Sequence, residues 1–124
     1  MFKRLFKRLA QDQVELRAES IRAWASGVPG VVQIAEVEPR SVARIAGVVE
    51  GLRVRPREGV PAIEAVLSDG TGTVTAVWLG RRELPGLALG SRLILEGRLG
   101  GTTGRLQVMN PTFEFAPGID AHDD

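Results

Sequence analysis

Three arginines recur at every second residue in the stretch LRVRPREG, at positions 53, 55 and 57. Side chains alternate between the two faces of an extended chain, so this spacing predicts that Arg53, Arg55 and Arg57 lie on one side of a strand. We call these three residues the arginine stripe. The guanidinium group is planar, permanently charged and able to donate two parallel hydrogen bonds to a phosphate. The stripe therefore predicts a surface that follows a nucleic-acid backbone; the alternative is a solvated strand edge whose charges discourage pairing with other chains.

Trp78 lies one residue before the end of the strand-like stretch TVTAVWL. Alternation places its side chain on the face opposite Thr73 and Thr75, which are typical of a solvent-facing surface. The pattern therefore predicts that Trp78 faces the core, where its large surface stabilises the fold. In the alternative interpretation Trp78 is exposed and stacks on a base, with Phe113 as a second stacking ring.

Further polar side chains on the predicted strands and turns extend the candidate surface. Scattered surface arginines are ordinary in soluble proteins, so each of these residues carries less weight than the stripe. The full set of candidate nucleic-acid-binding residues is Arg53, Arg55, Arg57, Thr73, Thr75, Arg81, Arg82, Arg98 and Arg105.

The residue types that catalysis most often uses are scarce in this chain. It has no Cys, and its one His, His122, lies in an acidic C-terminal segment. These residues cannot supply a Ser/His/Asp triad, a Cys nucleophile or a His/Cys metal cluster. The turn DGTG at 69–72 lacks the Lys and the helix of a phosphate-binding loop. We therefore expect no enzymatic activity, no metal and no cofactor.

Beyond residue 42, apolar and polar residues alternate and glycines recur at the expected turns, which indicates β-strands. Asp69-Gly70 predicts a tight hairpin turn, and the longer connection at 80–90 has room for one helical turn. The predicted strands are 42–55, 60–69, 72–79, 91–99 and 104–110. Glycines inside the first and fourth strands predict the bulges or bends of a small closed barrel, at Gly47, Gly51 and Gly97.

The first part of the chain has helical periodicity between Phe2 and Ala25, and GVPG at 27–30 ends it. Its beginning, FKRLFKRL, is apolar on one face and basic on the other. Such a helix suits packing on the barrel or on a second copy of the chain, an anionic membrane, or nucleic acid. We expect packing, a homo-oligomer or a protein partner rather than a membrane. The predicted organisation is a helix over 1–27, a linker over 28–41, the barrel over 42–115 and an acidic tail over 116–124.

The 124 residues, 44% hydrophobic and 25% charged, have the size and composition of one soluble domain. No apolar run approaches the ~18 residues of a membrane span, and the basic N-terminus lacks the apolar core of a signal peptide. A cytoplasmic location is therefore expected. The net charge of +1 combines a basic N-terminus, an arginine-rich middle and an acidic end. Partners must therefore be judged from local patches of charge.

The order of these elements resembles the OB-fold nucleic-acid-binding family, in which five strands form a Greek-key barrel. The resemblance covers roughly residues 42–115. It rests on Gly47-Val48, Asp69–Gly72 before a strand that ends in Trp78, Leu89-Gly90, Gly97 and Asn110-Pro111. It is most similar to the branch that contains the anticodon-binding domains of tRNA synthetases and the wedge domain of RecG-type helicases, and to small actinobacterial proteins of this fold. These residues contain no synthetase or helicase domain, so those activities are not carried over with the fold.

The resemblance implies a ligand face on the second and third strands, between loops at 54–61 and 100–104. The expected function is binding of nucleic acid without catalysis, with single-stranded or branched DNA preferred to duplex and to RNA. The competing interpretation is a protein-interaction adaptor that uses the barrel and the helix, with arginines that serve solubility. A buried Trp78 and arginines dispersed around the barrel would favour the adaptor.

Overall fold

Strands account for most of the residues that the computed structural model describes, 15–116. They are β1 (Val42–Arg57), β2 (Val60–Ser68), β3 (Thr73–Leu79), β4 (Arg92–Thr102), β5 (Arg105–Met109) and β6 (Thr112–Phe115). They pair in the order β1-β2-β3-β5-β4-β6, and a further pairing of β1 with β4 closes a ring of five strands. Only the β3–β5 pair is parallel among these strands. The predicted five-stranded Greek-key barrel is confirmed, and β6 is an unpredicted strand added at the edge of β4.

The barrel closes because β1 is long enough to pair with two strands. Its first half, from Val42 to Val48, pairs with β4, and its second half, from Val48 to Arg57, pairs with β2. The register with β2 shifts between Val49 and Gly51, at a β-bulge. A bulge bends a strand and increases its twist, as closure of a small barrel requires. The prediction of a bulge or bend at Gly51 is confirmed.

The core consists of alternate strand residues from the inner faces of the ring. Ile45, Leu67, Leu93, Leu95 and Leu99 are each no more than 1% exposed. Branched aliphatic side chains of this kind fill a small barrel without polar atoms that need partners.

Trp78 belongs to this core and is 4% exposed. Its indole N–H donates a hydrogen bond to the carbonyl of Pro111 at 3.2 Å. Its ring packs edge-on against Phe113, with 5.2 Å between ring centroids. The prediction that Trp78 faces inward is confirmed. The alternative, in which Trp78 stacks on a base, is corrected because a buried ring has no face to offer. Phe113 is half-buried between Trp78 and Phe115, and its role as a stacking ring stays a prediction.

Residues 15–26 are helical and pack on the outer surface of the barrel. Ile21 and Ala25 are buried. Gly70, with φ +86°, allows the close approach, because a Cβ there would lie 2.5 Å from the carbonyl oxygen of Ala18. The N-terminal helix is thus confirmed, while the FKRLFKRL stretch and the rest of residues 1–14 lie outside the described residues. The predicted bounds and role of the N-terminal helix stay predictions, and so does the predicted acidic tail over 116–124.

Residues 28–41, predicted as a linker, form a packed connection. They contain a 3-10 helix (Ile34–Glu36), and Ile34 and Val37 are buried in the barrel core. One carboxylate oxygen of Asp69 accepts the Ile34 N–H at 2.8 Å. The other accepts the N–H groups of Thr71 at 2.9 Å and Gly72 at 3.2 Å. Asp69 therefore shapes the β2–β3 turn and also fixes the connection to it.

The connection between β3 and β4, residues 80–90, contains turns and bends but no helical turn. Its Leu84 is buried in the core, and the N–H of Gly80 donates to the carbonyl of Pro61 at 2.7 Å. The prediction that this segment has room for a helical turn is therefore corrected, because no helical turn forms there. Positive φ values at Gly80, Gly86 and Gly90 interrupt the segment too often for a helix.

Candidate nucleic-acid interface

The bulge at Gly51 decides which way the arginine stripe points. Ile45 and Val49, before the bulge, are buried in the core. Side chains alternate strictly in a regular strand, so without the bulge residues 53, 55 and 57 would share the inward face with residues 45 and 49. The extra residue reverses the alternation. The stripe therefore lies on the outer face of the barrel.

The stripe lies on a β-hairpin rather than in a loop. β1 continues to Arg57 and β2 begins at Val60, so only Glu58 and Gly59 form the turn. Their φ values of 52° and 82° are both positive, as in the type I′ turn that matches the twist of paired strands. The predicted loop at 54–61 is corrected accordingly. The predicted loop at 100–104 is corrected in the same way, because β4 extends to Thr102 and β5 begins at Arg105.

A single buried carboxylate holds the stripe together. Glu64 of β2 lies directly across from Arg53 of β1. The Nε of Arg53 donates to Glu64 Oε1 at 2.8 Å, and the Nε of Arg55 donates to Oε2 at 2.9 Å. The Nε of Arg57 lies 3.7 Å from Oε2. Three guanidinium groups share one carboxylate, so these four side chains together carry a net charge of +2.

Exposure differs sharply between the two signs of charge in this cluster. The Glu64 side chain is 5% exposed, whereas that of Arg53 is 62% and that of Arg55 is 51% exposed. Burial raises the pKa of the Glu64 carboxyl, but hydrogen bonds from Arg53 and Arg55 and their positive charges outweigh it and lower that pKa below its usual value. Glu64 is therefore ionised at neutral pH, underneath the cations that a ligand would meet first.

The geometry of these hydrogen bonds leaves the ends of two arginines available. Arg53 and Arg55 use their Nε–H groups for Glu64. Their terminal nitrogens make no hydrogen bond to another residue of the described part of the chain. A terminal guanidinium edge can donate two bonds to one phosphate. The cluster is therefore chemically suited to bind phosphate groups.

Beside the stripe, the same face continues across β3 and β5. Thr75 is in register with Gln107 and Val77 with Met109. The Met109 sulfur lies 3.0 Å from Gln107 Nε2 and 3.9 Å from Nη1 of Arg57. An open cleft of about 580 Å³ lies among Arg57, Leu79, Gln107 and Met109. The face thus combines cations along one side with an apolar floor and an amide along the other.

Some of the other predicted residues lie on or next to this face. Thr73 and Thr75 lie on the outer surface of β3, in register with Ser68 and Val66. Arg105 begins β5 one residue before Leu106, which is in register with Val74, so it lies beside Thr73. Their place on the face agrees with the prediction, and their role in binding stays a prediction.

The remaining predicted arginines are more dispersed. Arg82 borders a second cleft with Val54 and Arg55, beneath the tip of the hairpin, and Arg81 is exposed beside it. Arg98 lies apart on β4, across from Val42, and donates to the carbonyl of Arg40 at 2.8 Å. The structure thus brings Arg53, Arg55, Arg57 and Arg82 near one another and leaves Arg98 elsewhere.

Sequence reasoning missed Glu64, Gln107 and Met109. A signal for Glu64 was present, because it is the one charged residue within the apolar stretch PAIEAVLS. Counting backwards from a two-residue turn at Glu58-Gly59 pairs residue 57 with 60 and therefore 53 with 64. Gln107 and Met109 had no comparable signal, because their place depends on the parallel pairing of β3 with β5.

Two further properties of residues 15–116 bear on the site. In that range no group of three His, Cys, Asp or Glu side chains is arranged to hold a metal ion. The helix described there is too short and too polar to span a membrane.

Comparisons with known proteins agree with the architecture. A family model described as OB-fold nucleic acid binding domain, of the tRNA anti-codon type, matches residues 43–116. No curated protein matches the chain significantly. Among solved structures, the replication factor A related protein from Methanobacterium thermoautotrophicum is 17% identical, with a TM-score of 0.52 over 69% of this chain and 90% of its own.

Two other solved structures match over part of this chain. OBody AM3L09, bound to hen egg-white lysozyme, is 19% identical, with a TM-score of 0.53 over 72% of this chain and 96% of its own. RecG bound to a three-way DNA junction is 19% identical, with a TM-score of 0.48 over 68% of this chain and 12% of its own. The family match is the more informative result, because it spans more than half of the chain and nearly all of β1 through β6. The chain therefore belongs to the OB-fold nucleic acid binding domain family.

Proposed function

We propose that this protein binds single-stranded or branched DNA, without catalysis, through the outer face formed by β1, β2, β3 and β5. The observation that carries the proposal is the convergence of Arg53, Arg55 and Arg57 on Glu64. It places a cluster of four side chains with a net charge of +2 on one face of a domain whose family binds nucleic acid. A cytoplasmic location belongs to this proposal because nucleic acid is an intracellular ligand.

The spacing of the stripe supports a single strand as the ligand. Alternate residues of a strand are about 6.6 Å apart, comparable with the separation of successive phosphates in an extended single strand. The cleft beside the stripe offers Leu79 and Met109 as apolar contacts for sugars and bases. An apolar floor favours deoxyribose over ribose, whose 2′-hydroxyl would lose hydrogen bonds to water there.

Burial of Trp78 removes one aromatic ring on which a base could stack, and Phe113 keeps only part of its ring exposed. Binding should therefore depend mainly on phosphate contacts and should be strongly sensitive to salt. For single strands the logarithm of the affinity falls against the logarithm of the salt concentration with a slope of about −0.7 for each phosphate neutralised.

The test is a titration of labelled oligothymidylate into the parent and into the variant Arg53→Ala/Arg55→Ala/Arg57→Ala at two salt concentrations. We expect the triple variant to bind at least about tenfold more weakly and with a shallower salt dependence. The matched control, Arg17→Ala/Arg22→Ala/Arg40→Ala, removes the same charge from exposed positions outside the stripe and should lose much less affinity. Equal losses in the two variants would contradict the proposed site.

A protein-interaction adaptor is the second candidate function. Trp78 is buried, and Leu52 and Val54 are 37% and 53% exposed on the side of the hairpin opposite the arginines. A hairpin with an exposed apolar side is able to pack against a protein partner. The titration separates the two candidate functions. If the protein is an adaptor, removing the stripe should not change its affinity for the oligonucleotide.

A further inference from the structure

We propose that Glu64, an acidic residue on the proposed binding face, strengthens the binding of single-stranded nucleic acid. This inference rests on the proposed function and adds a positioning residue to it. A negative charge on a surface that binds phosphate is expected to weaken binding if charge alone is considered. The arrangement of the hydrogen bonds around Glu64 leads to the opposite expectation.

Glu64 lies beneath the stripe rather than beside it. Its side chain is 5% exposed, and its two oxygens accept from different arginines, Arg53 and Arg55. Both contacts are made through Nε, so the carboxylate fixes each guanidinium while its terminal nitrogens stay available for a phosphate. A ligand therefore meets the cations at short range and the carboxylate only behind them.

Two effects that oppose binding, the ordering of arginine side chains and their mutual repulsion, are already reduced in the free protein. Arginine side chains have many rotamers, and a ligand that orders them must offset the lost entropy. Three guanidinium groups on alternate residues of one strand also repel one another, and without a shared counter-charge they would spread into solvent. Glu64 lowers both costs in the free protein. One carboxylate thus orders up to three cations, which outweighs its own screened repulsion of a phosphate.

Fold stability alone gives little reason for a carboxylate at this position. The neighbours of Glu64 in register on the face are Arg53 and Val77, and Val77 is 0% exposed. Burying an ion has a desolvation cost, and well-packed apolar residues often replace buried ion pairs without loss of stability. A residue such as Leu would fit the apolar pattern of β2, but Arg53 and Arg55 would lose the carboxylate that accepts their hydrogen bonds.

The test compares Glu64→Gln with the control Glu83→Gln, an exposed residue of the β3–β4 connection that forms no ion pair with another described residue. Both substitutions raise the net charge by the same amount. We expect Glu64→Gln to bind oligothymidylate about tenfold more weakly than the parent, and Glu83→Gln to bind as tightly as the parent or slightly more tightly. Equal or tighter binding by Glu64→Gln would overturn the inference.

A spectroscopic measurement separates positioning from a general structural effect. In the folded parent, the Nε–H signals of Arg53 and Arg55 should be protected from exchange with water by their bonds to Glu64, and in Glu64→Gln the protection should fall while the backbone amide spectrum is retained. Unchanged protection would overturn the inference. If Glu64→Gln does not fold, Glu64→Leu removes the carboxylate without leaving a buried polar group unpaired, because Arg53 and Arg55 are exposed enough to turn to solvent; it should show the same loss of affinity.

The triple arginine variant distinguishes failure of this inference from failure of the proposed function. If removal of the stripe abolishes binding while Glu64→Gln and Glu64→Leu bind like the parent, the binding site stands and the positioning role is wrong. If removal of the stripe has no effect, the proposed function fails, and the inference fails with it.

Discussion

Replacing Trp78 with Ala tests the direction in which the third strand faces. The ring is 4% exposed, packs edge-on against Phe113 and donates a hydrogen bond to the carbonyl of Pro111. Removing it would leave a cavity in the core and an unpaired carbonyl at Pro111, just before β6. The substitution should therefore act on stability and only indirectly on ligand binding.

The size of the effect follows from these contacts. Truncation of a buried Trp costs about 3–5 kcal/mol of unfolding free energy, and an unsatisfied buried acceptor adds about 1 kcal/mol or more. For a domain of this size each kcal/mol lowers Tm by about 4–8 °C, so a loss of ~4 kcal/mol lowers Tm by roughly 15–30 °C. Many small domains have only about 5–15 kcal/mol of stability, so Trp78→Ala should remain folded only at moderate temperature.

The assay is a pair of thermal melts and oligothymidylate titrations on Trp78→Ala and Trp78→Phe. Trp78→Phe keeps an aromatic ring beside Phe113 but removes the hydrogen bond to Pro111, and should cost about 1–2 kcal/mol. Below its Tm, Trp78→Ala should bind nearly as well as the parent. A variant that melts like the parent but fails to bind would refute the reasoning, because that pattern belongs to an exposed ring on which bases stack.

Two further predictions concern the helix and the buried carboxylate. Gly70→Ala would place a Cβ 2.5 Å from the carbonyl oxygen of Ala18 and 2.8 Å from the Cβ of Arg22. It should therefore destabilise the protein by about 1–3 kcal/mol more than the control Gly59→Ala, because Gly59 has a similar φ and nothing within 4 Å. Equal losses of stability in chemical denaturation would contradict the packing of the helix on the turn. The pKa of Glu64 is lowered in the folded state, so its ion pairs should stabilise the fold fully above the unfolded pKa of about 4.3 and progressively less as pH falls through the lower folded pKa. The stability difference between the parent and Glu64→Gln should therefore be constant above about pH 5 and shrink in more acid solution, and a difference that grows with acid would contradict the direction of the shift.

The barrel was predictable because its determinants are local. Alternation located the five main strands, and Asp69-Gly70 located the turn between β2 and β3. Prediction stopped where structure depends on distant contacts. The short strand β6 exists because it pairs with β4, and residues 28–41 are ordered because Ile34 enters the core and its N–H meets Asp69. Neither contact can be derived from the spacing of residues within its own segment.

The candidate site shows the same division between local and distant information within a single strand. The spacing of the arginine stripe predicted correctly that its members share a face, since alternation is a property of any extended chain. Which face they share depends on the bulge between Val49 and Gly51, because one extra residue moves every later side chain to the other side. What the stripe meets there depends on the neighbouring strand, where Glu64 lies across from Arg53. The chemistry of the face is therefore a property of two paired strands, and the acidic residue that organises it can be recognised only when both are read in register.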